Sequence, residues 1–274
     1  MRAFFVGLQF LTRISVIRQR EWRPRDFGRS VRYFPLIGLT LGICYTLFAW
    51  VITEFLPQEG WNMPSHIRAF CLMTLPILFT GGLHCDGFMD TMDGLLSGRE
   101  RARALEIMKD SRTGSYGVVS FILLCFWNFS VFYDMGDSTL LLPALLFMPI
   151  WARLWMAYAV ICFPYARPQG MGKAFKDWST LKDLGFALFS SLVLFMLISV
   201  GMHLLFGPPW GYFASASALA SFILTFLFTV FFARSVTRFL GGLTGDVYGA
   251  ITLFVEVMSL TIFLFMGHYF GVIG

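Results

Sequence analysis

Long apolar stretches alternate with short charged ones along the whole chain. Seven stretches are long enough to cross a bilayer, which takes about 20 residues within a range of roughly 17–25. They are Tyr33–Ile52, Ile67–Leu83, Tyr116–Tyr133, Leu140–Phe163, Leu184–Phe206, Phe213–Ala233 and Val247–Phe270. Helix is the conformation expected of each, because a helix satisfies its backbone N–H and C=O groups internally and an open sheet edge in hydrocarbon does not. Pro35 and Pro76 fall in the first two, where a proline can kink or shift the helix. Ahead of them, Met1–Ile17 is too short to span and is interrupted by Arg13. It reads as an interfacial helix followed by a basic segment suited to anionic headgroups, with a disordered leader as the alternative. It lacks the basic leader, apolar stretch and small-residue cleavage site of a secretory signal.

Composition agrees with a lipid solvent. Of 274 residues, 57% are hydrophobic and 14% charged, against about 45–50% and about 25% in an ordinary globular chain. A single water-soluble core is thereby excluded. The expected fold is an all-α polytopic membrane bundle of about seven transmembrane helices plus the N-terminal interfacial helix, forming one domain over residues 1–274. The net charge of +5 matters less than its distribution. Residues 1–32 carry eight arginines, residues 84–115 five basic residues among six carboxylates, residues 164–183 four basic residues, and the sixth connection Arg234 and Arg238. The intervening connections carry none. Thus 19 of 21 basic residues fall on one side, Arg68 and Arg153 excepted, and the positive-inside rule predicts a cytoplasmic N-terminus. The five cysteines show no paired spacing, so packing is their expected role rather than a disulfide framework or a zinc site.

The chemistry concentrates in Gly81–Gly94, which runs from the end of the second stretch into the cytoplasmic 84–115 loop. Asp86, Asp90 and Asp93 stand at i, i+4 and i+7, which stacks three carboxylates on one helical face. A divalent cation would relieve their repulsion, and oxygen-only ligands select Mg²⁺ or Mn²⁺ over zinc. A solvated acidic face is the bland alternative. Downstream, Lys109 and Arg112 are spaced to hold phosphate oxygens, in a Ser/Gly turn whose N–H groups could approach an anion; a hairpin with internal ion pairs would look similar. His84 could bond a phosphate or a carboxylate. Arg167 lies in a glycine-bearing basic loop, and Asp246 opens the last apolar stretch. Glu256 lies deep within that stretch, where a carboxylate costs about 2.5–3.5 kcal/mol on insertion scales. It is either a site residue or a partner for Arg153. Carboxylates with basic glycine loops form the inventory of metal-assisted phosphoryl transfer.

These residues resemble the cobalamin synthase family, also called adenosylcobinamide-GDP ribazoletransferases. The likeness runs through Phe10-Leu11-Thr12-Arg13, Tyr33-Phe34-Pro35-Leu36-Ile37-Gly38, the Gly-Gly-x-His-x-Asp-Gly-x-x-Asp-Thr-x-Asp-Gly pattern at 81–94, and Leu105–Arg112 with Gly114 and Gly117. Tyr165-Ala166-Arg167 and Gly241-Gly242-x-Thr244-Gly245-Asp246, with Gly249 and Glu256, complete it. One departure is Leu253, where family members often carry an acidic residue three before Glu256. The resemblance implies that adenosylcobinamide-GDP is joined to α-ribazole, or its 5′-phosphate, with loss of GMP. It implies Mg²⁺ on Asp86, Asp90 and Asp93, phosphate contacts from His84, Lys109, Arg112 and Arg167, and Asp93 or Asp246 as the base. The expected setting is the inner membrane with a cytoplasmic active face and no nucleic-acid partner. Homo-oligomers, and association with other nucleotide-loop assembly enzymes, are compatible with it. Competing readings are a CDP-alcohol phosphotransferase-like enzyme, whose Asp-Gly-x-x-Ala-Arg is missing here, and a secondary transporter, which would place its polar residues at the midplane.

Overall fold

The computed structural model describes residues 2–16, 23–136 and 139–269. Their regular structure is helical, apart from one isolated bridge between Tyr165 and Leu243. The chain runs through α1 (Arg2–Leu11), α2 (Pro24–Ser30), a 3-10 turn, α3 (Phe34–Trp50), a π turn and the short α4 (Leu56–Gln58). Then come α5 (Ser65–Thr80), α6 (Leu83–Leu96), α7 (Arg101–Ile107), α8 (Ser115–Met135) and α9 (Leu141–Cys162). The remainder is α10 (Met171–Asp177), α11 (Leu181–Phe206), α12 (Pro208–Leu240) and α13 (Gly245–Tyr269).

Six stretches are long and apolar enough to cross a membrane: Pro24–Gln58, which carries α3, and α8, α9, α11, α12 and α13. α5 and α6 meet the criterion only together and are bent by 92°. Each of the seven expected spans therefore finds a helix, the second being α5. Pro35 falls in the first turn of α3, where its missing N–H has no helical acceptor to lose. Pro76 lies inside α5. The expected loop 84–115 is mostly helical, as α6 and α7.

The N-terminal helix is shorter than predicted. α1 stops at Leu11 because the Thr12 hydroxyl donates to Leu8 O at 2.6 Å and accepts from Ile14 N–H at 3.1 Å, a local bonding pattern that competes with helix continuation. Arg13 N–H then donates to Phe79 O at 2.7 Å. The part of the predicted interfacial segment from Ile17 onward, up to residue 22, lies outside the described residues. α1 buries Val6, Leu8 and Leu11.

α9 is the hub. Of its most apolar window 83% is buried, against 17% for both α8 and α11, whose outer faces are left for lipid. α3 approaches it closely because Gly38 and Gly42 carry no side chain: a Cβ at Gly38 would stand 2.3 Å from Pro149 O, and one at Gly42 2.6 Å from Leu146 O. Small residues four apart are a common device for close helix contact in membranes. α13 joins the hub through a buried ion pair, Arg153 Nη1 to Glu256 Oε1 at 2.5 Å. Glu256 is thus held as a partner of Arg153.

Candidate functional site

Two glycines aim the acidic motif. Gly81 (φ 63°) and Gly82 (φ 75°) both adopt the left-handed conformation, which costs other residues about 1–2 kcal/mol. They turn α6 away from α5 and across the N-terminal end of α13. The approach is close at Gly87, where a Cβ would lie 2.8 Å from Asp246 O, and Gly249 sits against His84 and Gly87. Asp86 and Asp90 are thereby brought beside Asp246. The charged groups that act on Asp90 are Asp86, Asp246, Asp93 and Arg167, four carboxylates facing one guanidinium.

A second clamp brings in the arginine. Ala166 N–H donates to Leu243 O and Leu243 N–H to Pro164 O, both at 2.8 Å, fastening the loop after α9 to the α12–α13 loop. A Cβ on Gly242 would meet Ala166 N at 2.7 Å. Arg167 Nη1 consequently pairs with Asp246 Oδ2 at 3.0 Å, while Nη2 donates to Met108 O at 3.2 Å. Thr244 Oγ1 donates to the same Asp246 Oδ2 at 3.2 Å. The other oxygen, Oδ1, has no hydrogen-bonded or ion-paired partner among the described residues.

These groups open on a cavity of about 260 Å³, lined by His84, Asp86, Tyr165, Arg167, Asp246 and Tyr248, with Phe10, Met171 and Phe175 among its apolar walls. His84 is 2% exposed, and neither of its ring nitrogens has a hydrogen-bond partner among the described residues. A buried polar ring without partners loses its hydration for nothing in return unless a ligand supplies the bond. Burial pushes the Tyr165 phenol up from its ordinary range, with Arg167 pulling the other way, so its hydroxyl keeps its proton at neutral pH and can donate.

Of the residues singled out in the sequence, the structure gathers His84, Asp86, Asp90, Arg167 and Asp246 at one place. Three others are engaged elsewhere or lie outside the cavity. Asp93 is 5% exposed and accepts Gly114 N–H on Oδ2 at 2.7 Å and Gly117 N–H on Oδ1 at 2.8 Å. Both of its oxygens are engaged in anchoring the start of α8. Gly114 and Gly117 permit this because a Cβ at either would fall within 2.6 Å of an Asp93 oxygen. Arg112 is 87% exposed and forms a two-armed bond with Asp110, holding that carboxyl down at about 2. Lys109 is exposed and does not line the cavity. The wall residues Tyr248, Met171 and Phe175 were not foreseen as site residues, since apolar periodicity cannot separate a cavity wall from core packing.

Among the described residues no three His, Cys, Asp or Glu side chains converge as a self-sufficient metal site. The donors do fit a shared one. Mg²⁺ commonly takes one or two carboxylates and completes its shell with water and substrate phosphates. Asp86 and Asp90, one helical turn apart, have no hydrogen-bonded or ion-paired partner among the described residues.

Comparison with known proteins gives a consistent result. The family described as cobalamin-5-phosphate synthase matches residues 3–264. A protein of Desulfitobacterium hafniense (strain Y51) named adenosylcobinamide-GDP ribazoletransferase is 38% identical over 262 residues, covering 95% of each chain. Proteins of the same name from Pseudomonas putida (strain W619), 32% identical with 96% and 98% covered, and from Fusobacterium nucleatum, 30% identical with 97% of each chain covered, extend the likeness. No solved structure matches.

Proposed function

The chain belongs to the cobalamin-5-phosphate synthase family, and from that premise we propose that it joins adenosylcobinamide-GDP to α-ribazole, or its 5′-phosphate, with release of GMP. A ribose hydroxyl forms a bond to the phosphorus on the cobinamide arm, the bond from that phosphorus to GMP breaks, and the hydroxyl proton goes to a base. The observation that carries this reading is the meeting of Asp86, Arg167 and Asp246 around one cavity, with Asp90 close enough to feel the charge of all three.

The residues divide the work by what their atoms already hold. Asp246 keeps Oδ2 on Arg167 and Thr244 and offers Oδ1 as the base, a role that contributes about 10²–10⁴-fold in typical enzymes. Arg167, already oriented through Met108 O, takes a substrate phosphate oxygen. His84 supplies a neutral hydrogen bond from the cavity floor. Asp93 is a positioning residue that fixes the Gly114–Gly117 turn beside α6. Asp86 and Asp90 would hold Mg²⁺, or Mn²⁺ in its place; the bound ion supplies charge neutralisation on the diphosphate and its leaving group. Lys109 and Arg112 stay outside this set.

The setting we propose is the inner membrane with the site on the cytoplasmic face, supported by the 19 of 21 basic residues on that side. The test is purified protein given Mg²⁺, adenosylcobinamide-GDP and α-ribazole 5′-phosphate, with GMP and corrinoid product followed together. Absence of both products under every metal condition would sink the assignment.

A further inference from the structure

A second cavity, of about 460 Å³, opens on the outer surface of the bundle away from the carboxylates. Its walls are Tyr158 of α9 and one face of α12, from Phe226 through Leu227, Val230 and Phe231 to Arg234, Ser235 and Arg238. At 1.5 Å per residue that face is about 18 Å long. It changes character along its length: four apolar side chains, then two arginines and a hydroxyl. Arg234 and Arg238 stand at i and i+4, close enough for both guanidiniums to reach one group. Both are exposed, and neither is ion-paired with a carboxylate among the described residues. The end of α12 that bears them leads directly into Gly241–Leu243, which is clamped to the Arg167 loop. The arginines therefore lie at the membrane face that carries the site.

An apolar furrow inside the hydrocarbon that ends in two unneutralised arginines at the interface is complementary to one kind of molecule. We propose that this groove binds an anionic glycerophospholipid, its phosphate between Arg234 and Arg238 and one acyl chain along Phe226–Phe231. Charge complementarity favours the anionic class, since basic pockets at the ends of membrane helices select such headgroups. A free phosphate would use the arginines and leave the apolar half empty.

The experiment is native mass spectrometry of the full-length protein, delipidated in detergent and titrated with phosphatidylglycerol or phosphatidylcholine of identical chains. One phosphatidylglycerol is expected to be retained in preference to phosphatidylcholine. The R234Q/R238Q variant should lose that preference by on the order of 30-fold, at about one decade and a half for two interfacial charges. Leu227→Trp, which fills the apolar half and keeps both arginines, should weaken retention as well and guards against a misfolded double variant. Equal retention of the two lipids, or unchanged preference in both variants, would overturn the proposal. Displacement by inorganic phosphate but not by lipid would also overturn it, assigning the arginines to a soluble anion.

Discussion

The molecule contains two arginine–carboxylate pairs on the same two partners, α13 and the α9 region, and they are built for opposite ends. Arg153 and Glu256 are 0% and 5% exposed and 2.5 Å apart, with room beside Glu256 only for a cavity of about 30 Å³. Arg167 and Asp246 are 12% and 23% exposed, 3.0 Å apart, and border a cavity. A pair with so little space beside it admits no substrate group, so its value lies in fastening α9 to α13. A pair at a cavity edge can exchange partners with an incoming phosphate or hydroxyl. The same chemistry is thus a rivet in one place and a working part in the other, and burial alone decides which.

The most severe way to test that division is at the open pair. Asp246→Asn keeps the size and the bond to Thr244 but removes the base, and turnover measured by GMP release should fall by about 10²–10⁴-fold. Apparent thermal stability should change little. If Asp246→Asn instead unfolded the protein and left the folded remainder fully active, the open pair would be a second rivet.

The sealed pair should answer in the opposite currency. Glu256→Gln leaves Arg153 charged and buried, and removing one partner of such a pair costs about 3–5 kcal/mol. Thermal melting in detergent should show a large loss of stability, while the protein that remains folded turns over at a near-normal rate. Replacing both partners with apolar residues, Arg153→Met with Glu256→Leu, should recover most of the stability, because neither charge is then stranded. A rate loss in that well-folded double variant would make Glu256 a site residue after all.

How far all this could be read beforehand depends on the kind of signal. The spans were legible because apolar runs of bilayer length have few other uses, and each predicted stretch coincides with a helix. Two misses stand out: the 84–115 segment, expected as a loop, is mostly α6 and α7, and the stop of α1 at Leu11 rests on a single threonine hydroxyl competing for backbone groups, which no periodicity announces. At the site, helical spacing correctly puts Asp86 and Asp90 one turn apart. It placed Asp93 with them too, since i+7 returns to the same face, but spacing does not say what else reaches that face. Gly114 and Gly117 arrive from 21 and 24 residues away and occupy both oxygens of Asp93. In the same way the basic residues at 109 and 112 had the right charge for phosphate, and only the fold shows Arg112 folded back on Asp110. Sequence leaves Glu256 open as a site residue or a partner of Arg153, and only the crossing of α9 and α13 shows the pair.

Asp93 gives an intermediate test between rivet and working part. Asp93→Asn replaces one of the two oxygens that accept backbone N–H with an NH2 group, which only donates, and charge-assisted bonds of this kind contribute about 1.5–3 kcal/mol each. The loss should appear first as loosening of residues 114–117, seen as faster amide exchange there. Turnover should fall less than in Asp246→Asn, with the Mg²⁺ concentration for half-maximal rate little changed. A large rise in that concentration would return Asp93 to the metal.

The smallest effect is expected where the charge is most exposed. Arg112 is paired with Asp110 in solvent, and such pairs hold little of a protein's stability. The Asp110 carboxyl sits at about 2 because of Arg112, below its ordinary value, so its contribution is present above about pH 4 and fades as pH falls towards 2. Across pH 6–8 the pair does not titrate and cannot shape a rate profile. Arg112→Ala should therefore leave kcat within about threefold and the pH profile unmoved, since an exposed ion pair is worth little. Arg167→Ala, at the cavity, should cost far more than Arg112→Ala, although both remove one guanidinium bonded to one aspartate. Equal losses from the two would mean that the loop carrying Arg112 closes over the substrate, and that the open pair is wider than Arg167 and Asp246.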